Sequence, residues 1–218
     1  MKTQFLVSKQ EKKILLVAVC CILFSFIDNL WLHNFLVQSK ENVLLKPISG
    51  LIVGGFFMTV CSILLAISKI YIYYIYRKNL KLDALKSEKS ALFLMIATGL
   101  MLILSLLLGR LDLSATSIQV YHVYSIAQGV LGLVIFLAML WLSVALYKNY
   151  RGNIRYAAIA GLCILAVGII SGMVGLFADF PMIGPSENTF VYLQYFNYFS
   201  TLVDCSFYLL SYFAFKAE

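Results

Sequence analysis

Long apolar runs alternate with short polar links along this chain. Each run holds about 20 residues or more, enough for a helix rising 1.5 Å per residue to cross about 30 Å of hydrocarbon. The runs are continuous and lack the alternation of a membrane β-barrel. The sequence therefore predicts an all-α polytopic membrane protein with six transmembrane helices, at residues 14–36, 50–76, 90–109, 121–147, 155–178 and 190–216.

Composition points the same way. Of the 218 residues, 62% are apolar and 12% are charged, and the mean hydropathy is +0.91. Soluble domains carry about a quarter charged residues. This excludes a soluble enzyme, a coiled coil and a disulfide scaffold. Because the predicted spans take up most of the chain, we expect a single transmembrane domain over residues 1–218.

The lysines and arginines are distributed unevenly between the two sides of the predicted bundle. Only Lys40, Lys46 and Arg110 fall on one side, and Lys69 lies within a span. The positive-inside rule therefore predicts that both termini are cytoplasmic. The thirteen cations on the cytoplasmic side are Lys2, Lys9, Lys12, Lys13, Arg77, Lys78, Lys81, Lys86, Lys89, Lys148, Arg151, Arg155 and Lys216.

A weak internal similarity favours three helical hairpins. Asp112 and Asp179 each stand where the chain leaves the membrane, and Tyr121 and Tyr192 each stand where it returns. Asp28 fits the same pattern loosely in the first hairpin.

Several polar residues are predicted to lie at membrane depth. An ionisable group there costs about 2.5–3.5 kcal/mol on insertion scales, so each is a functional hypothesis. Lys69 either extends to the inner surface or pairs with Asp204. The candidate buried polar path contains Asp28, Asn29, Lys69, Gln128, Asn197 and Asp204.

A second candidate cluster lies near the outer surface. Imidazole pairs ligate metal ions and haem, so a metal or haem site built from the outer histidines and aspartates is an open alternative. The sequence contains no HExxH, GxSxG or P-loop motif. We therefore predict no catalytic residue, no metal site and no cofactor. The outer cluster comprises His33, Arg110, Asp112, His122 and Asp179.

Small residues in the fifth predicted span indicate close helix packing. Gly161, Gly168, Gly172 and Gly175 fall near one helical stripe, which lets backbones approach closely within one subunit or between copies. The five cysteines all lie inside predicted spans without a CxxC pair, and are expected to be small packing residues.

Three functions remain open at this point. The first is a non-enzymatic membrane anchor, sensor or assembly subunit, expected to be oligomeric, for instance in a bacterial stress or defence module. It would contact membrane lipid and dock a cytoplasmic protein through the link between the second and third predicted spans. The second is a small channel or permease using Asp28 and Asp204. The third is an intramembrane enzyme, or a haem or quinone protein, using the outer cluster. The docking residues would be Arg77, Lys78, Lys81, Lys86 and Lys89.

The predicted compartment is a bacterial inner membrane, because the links are short and Lys-rich and the outer links lack a glycosylation sequon. No direct binding of nucleic acid is expected, since the cations are scattered over several short links.

Overall fold

The computed structural model describes residues 2–24, 56–108, 118–178 and 187–218. Within these ranges the chain is helical apart from two short strands and a few residues in turns and at the ends. The elements in order are β1 (Phe5–Val7), α1 (residues 9–24), α2 (Phe56–Leu82), α3 (Glu88–Leu108), α4 (Ile118–Asn149), α5 (Asn153–Ala178), α6 (Glu187–Ala214) and β2 (Phe215–Ala217).

Four of these helices contain a stretch long and apolar enough to cross a membrane. They correspond to the second to fifth predicted spans, so the all-helical, membrane-compatible fold is confirmed at this level. The predicted first and sixth spans stay predictions, as does the topology. The four stretches are Thr59–Leu82, Glu88–Leu107, His122–Asn149 and Asn153–Ile170.

α1 begins with a capping box. Ser8 Oγ accepts a hydrogen bond from the Glu11 backbone N–H at 3.2 Å, and Glu11 Oε2 accepts one from the Ser8 backbone N–H at 2.9 Å. Two backbone donors that the first helical turn leaves unpaired are thereby satisfied. The helix therefore starts at residue 9, before the apolar run begins.

α2 ends in a Schellman motif. Leu85 N–H donates to Leu80 O and Ala84 N–H donates to Lys81 O, both at 3.1 Å. Ala84 adopts φ +54°, the left-handed conformation that this cap requires. Because the cap satisfies the last carbonyls of α2, the chain reverses into α3 within a few residues.

The chain forms two compact units. The first comprises Met1–Lys12 with Met139–Glu218, and the second comprises Lys13–Ala138. In the first unit, α5 packs along α6 and β1 pairs in parallel with β2. In the second unit, α2 packs along α3.

The β1–β2 pair is an addition to the predicted all-α fold. Phe5 lies opposite Phe215, Leu6 opposite Lys216 and Val7 opposite Ala217. Phe5 and Val7 are buried whereas Leu6 is exposed, as the two-residue period of a strand demands. The pair joins segments that lie at opposite ends of the sequence.

Candidate functional site

The first unit brings three separate stretches of chain together in a feature that we call the terminal clamp, comprising residues 2–8, 150–153 and 212–218. Phe5 is its centre. The Phe5 ring meets the Tyr150 ring edge-on at a centroid distance of 4.9 Å and stacks on the Phe215 ring at 5.6 Å. Phe5, Tyr150 and Phe215 are each exposed by 3% or less, so the clamp has an apolar core of its own.

Backbone hydrogen bonds hold the three stretches in register. Arg151 N–H donates to Lys2 O and Glu218 N–H donates to Val7 O, each at 3.0 Å. Asn153 Nδ2 donates to Phe213 O at 3.1 Å. The amino-terminal residues, the α4–α5 link and the carboxyl-terminal residues therefore meet at one end of this unit.

Lys12, in the first turn of α1, contacts the carboxyl-terminal stretch of the clamp. Its Nζ donates hydrogen bonds to Tyr212 O and Phe215 O and lies 3.5 Å from the centre of the Tyr212 ring. Partial burial lowers the pKa of Lys12 below its ordinary value. From the sequence, Lys12 appeared only as one of the cations that set orientation, because its partners lie about 200 residues away.

Gly152, in the α4–α5 link, lies close to the amino-terminal residues. It adopts φ +61°, and a Cβ there would lie 3.1 Å from the Thr3 Cβ. Both the left-handed conformation and the close contact favour glycine at this position.

The second candidate surface is the basic link, residues 77–89, which joins α2 to α3 in the second unit. Leu82 is 73% exposed, the highest value among the exposed large apolar side chains of the described chain. The Schellman motif gives this link a defined backbone. Of the five predicted docking residues, Arg77 is half-buried, and the exposed ones are Lys78, Lys81, Lys86 and Lys89.

Two oxygen atoms at the start of α3 are buried without a hydrogen-bond partner in the described part of the chain. They are Ser87 Oγ and Glu88 Oε2. Each retains the capacity to accept a hydrogen bond. The carboxylate of Glu88 also lies in the first turn of α3, where the helix dipole favours negative charge.

An apolar cavity of about 480 Å³ lies between α1 and α2 in the second unit. Three thiols line it, and we therefore call it the thiol cavity. Cys20 is exposed, and Cys21 and Cys61 are half-buried. Sequence patterns gave no sign of a cavity here, because cysteine and leucine read equally as packing residues. The lining residues are Leu16, Val17, Cys20, Cys21, Phe24, Val60, Cys61 and Leu64.

The predicted buried polar path is only partly within the described residues. Asp28 and Asn29 lie outside them. Gln128 is exposed on α4, whereas Asn197 lies on α6. Lys69 and Asp204 are half-buried, the first in the second unit and the second in the first unit. Their pairing stays a prediction.

The predicted outer cluster falls almost entirely outside the described residues. His33, Arg110, Asp112 and Asp179 are not among them, and His122 is exposed near the start of α4. Among the residues that the structure does describe, no group of three His, Cys, Asp or Glu side chains is arranged to hold a metal ion.

The glycines of the predicted packing stripe differ in their surroundings. A Cβ at Gly161 would overlap Ser143 Oγ and lie 3.2 Å from Met139 Cε, so α4 and α5 approach closely at this point. A Cβ at Gly168 would have nothing within 4 Å. Gly172 and Gly175 lie further along α5.

The terminal clamp, the basic link and the thiol cavity are built mainly from apolar, aromatic and cationic groups. No family model, curated protein or solved structure matches this chain.

Proposed function

We propose that this protein is a non-enzymatic, multi-pass membrane subunit that docks an acidic cytoplasmic protein through the basic link. The observation that carries the proposal is the exposure of Leu82 on a link whose backbone is fixed by the Schellman motif. An exposed apolar side chain on a link that carries exposed lysines suits the usual interface anatomy of an apolar centre and a polar rim. The surrounding exposed lysines are Lys78, Lys81, Lys86 and Lys89.

The charges of the link suit an acidic partner. Cations on both sides of Leu82 would steer an acidic surface toward it and fix its orientation. Asp83 and Glu88 are the acidic residues of the link. A fixed backbone also lowers the entropy lost when a partner binds.

The proposed orientation places both termini and the basic link in the cytoplasm of a bacterium, with six spans in its inner membrane. The terminal clamp supports this, because pairing of residues 5–7 with residues 215–217 requires an even number of crossings between them. Exposed cations at the same end of the first unit fit the positive-inside rule. They are Lys2, Lys9, Lys148, Arg151, Arg155 and Lys216.

An oligomeric state is part of the proposal. Gly168 lies on an exposed stretch of α5 with Ile169 and Ile170, which are about half exposed. A small residue on an exposed apolar helix face permits close contact with another helix in the membrane.

The docking proposal is tested by site-specific photocrosslinking in cells, with the photoreactive amino acid replacing Leu82. We expect an adduct with a soluble cytoplasmic protein whose contact surface is acidic, identified by mass spectrometry. Reversing three link charges, Lys81→Glu, Lys86→Glu and Lys89→Glu, should remove the adduct.

The matched control reverses three exposed cations of the first unit, Lys148→Glu, Arg151→Glu and Lys216→Glu. It changes the net charge equally and should leave the adduct unchanged. No adduct, or an adduct that survives the link reversal, contradicts docking at this surface. A photoreactive residue at Leu6, which is also exposed, checks that crosslinking is not general.

A further inference from the structure

The thiol cavity carries an inference that does not depend on the docking proposal. We infer that it binds one acyl chain of an anionic phospholipid, with the phosphate of the headgroup against the ammonium group of Lys13. Three observations support this: the lining of the cavity, its length and position along α1, and the charge at its amino-terminal end.

The lining selects an apolar occupant. The eight lining side chains that the structure describes are all aliphatic, aromatic or thiol groups, and the volume of about 480 Å³ falls within the usual range for small-molecule sites. A cavity without polar partners does not hold ordered water well and accepts hydrocarbon instead. α2 is long and apolar enough to cross a membrane, so the hydrocarbon available to this cavity is lipid.

The length of the cavity suits the acyl chain of a lipid in one leaflet of the bilayer. Its lining on α1 runs from Leu16 to Phe24, a rise of about 12 Å at 1.5 Å per residue. One leaflet of a bilayer contributes about 15 Å of hydrocarbon, half of the full core. A single acyl chain that enters at Leu16 would therefore reach most of the way through its leaflet beside α1.

The charge at the amino-terminal end of the cavity selects an anionic headgroup. Lys13 is exposed and lies three and four residues before Leu16 and Val17, hence on the same face of α1, one turn nearer the membrane surface. Glu11 is the acidic residue of α1 as described, and it is engaged by the Ser8 backbone in the capping box. An ammonium group one helical turn before an apolar cavity suits a lipid whose phosphate lies just beyond its acyl chain.

The binding test uses the full-length protein purified in detergent and native mass spectrometry. The probes are phosphatidylglycerol, phosphatidylcholine with identical chains, and glycerol 3-phosphate, which carries the headgroup charge without a chain. We expect about fivefold tighter binding of phosphatidylglycerol than of phosphatidylcholine, the preference that one lysine near the surface provides. Glycerol 3-phosphate should bind at least tenfold more weakly than phosphatidylglycerol.

Two variants, each with a matched control, distinguish the contribution of the acyl chain to lipid binding from that of the headgroup. Lys13→Gln should remove the preference for phosphatidylglycerol, whereas Lys89→Gln, another exposed cation, should keep it. Cys61→Trp should fill the cavity and weaken both lipids at least tenfold, whereas Ile67→Trp, at an exposed position on the same helix, should not. An unchanged preference in Lys13→Gln overturns the headgroup assignment, and unchanged binding in a folded Cys61→Trp overturns the cavity assignment.

Alkylation of the native cysteines tests the site without any substitution. Phosphatidylglycerol should slow the reaction of Cys20 with N-ethylmaleimide in detergent at least fivefold, with a smaller effect of phosphatidylcholine. Cys163 is exposed in the other unit and serves as the internal control. Protection of Cys20 and Cys163 to the same degree would mean general shielding by lipid and would refute a specific site. Protection by glycerol 3-phosphate alone would identify a free phosphate as the ligand and refute the lipid.

Discussion

The ammonium group of Lys12 lies over the Tyr212 ring and donates a hydrogen bond to the carbonyl oxygen of the same residue. One side chain near the start of the sequence therefore contacts both the ring and the backbone of a residue near its end. A second hydrogen bond from Lys12 to Phe215 O extends the contact to the first residue of β2. A cation–π contact and charge-assisted hydrogen bonds thus act on a single pair of segments.

Replacing Lys12 by Met should open the terminal clamp. The substitution removes two hydrogen bonds from a charged donor, each of the class that contributes about 1.5–3 kcal/mol. We expect hydrogen exchange of the Arg151 and Glu218 amides, which donate to Lys2 O and Val7 O in the closed clamp, to rise at least tenfold. Lys9→Met, at an exposed position one turn earlier, is the control and should leave exchange unchanged. Equal exchange in the two variants would mean that Lys12 does not hold the clamp.

The lowered pKa of Lys12 predicts a pH dependence. Burial lowers this pKa in the closed clamp, whereas in an open clamp the side chain returns toward its ordinary pKa of 10.5. At pH values between the lowered pKa of the closed clamp and 10.5, the open state binds more protons than the closed state. The closed clamp therefore gains stability as the pH rises through this range. The thermal midpoint of the wild-type protein should therefore rise relative to that of Lys12→Met as the pH approaches 10.5 from below. A difference that stays flat or shrinks contradicts this assignment.

Ala84→Gly should stabilise the α2–α3 hairpin. A left-handed alanine is strained by about 1–2 kcal/mol, and glycine relieves that strain at an entropic cost of about 0.5–1 kcal/mol. We expect a net gain of about 0.5–1 kcal/mol in a thermal or denaturant unfolding measurement. Ala84→Val should lose at least about 1 kcal/mol, because a β-branched residue tolerates positive φ poorly. A glycine variant no more stable than wild type would argue against the Schellman motif.

Gly161→Ala and Gly168→Ala should behave differently although both lie on α5. The added Cβ at position 161 would overlap Ser143 Oγ, and such overpacking costs about 1–3 kcal/mol. At position 168 the Cβ has open space, and alanine should be neutral or add up to about 1 kcal/mol of helix stability.

A double-mutant cycle with Ser143→Ala checks the cause. Removing Ser143 Oγ should restore part of the stability lost in Gly161→Ala and should have no effect on Gly168→Ala. Equal losses at the two glycines would refute the close approach of α4 and α5 at Gly161.

The central helices were predictable because a continuous apolar run of this length has few alternatives in a chain with so few charges. Their ends were less predictable. α2 continues past Tyr76 to Leu82 because packing and a side-chain hydrogen bond stabilise its last turns. Leu80 is fully buried, and Asn79 Nδ2 donates a hydrogen bond to Ile75 O at 3.0 Å. A hydropathy pattern records none of this.

The terminal clamp could not have been predicted from local patterns. Three residues are too few for a recognisable strand, and the pairing of Phe5 with Phe215 depends on helices that return the chain to its starting point. The capping box of Ser8 and Glu11 was readable, since serine followed three residues later by glutamate is a helix-start signature. The thiol cavity depends on the relative placement of α1 and α2, which composition does not encode.

The parallel ladder between β1 and β2 also imposes an order of events during synthesis. β1 leaves the ribosome first, and its partner strand follows more than 200 residues later. At about 5–20 residues per second, β1 waits on the order of 10–40 s for β2. Throughout that interval Phe5 has neither its partner strand nor the Phe215 ring. A chain whose translation stops before residue 215 cannot close the ladder. Closure of the ladder therefore requires that α6 has been synthesised in full.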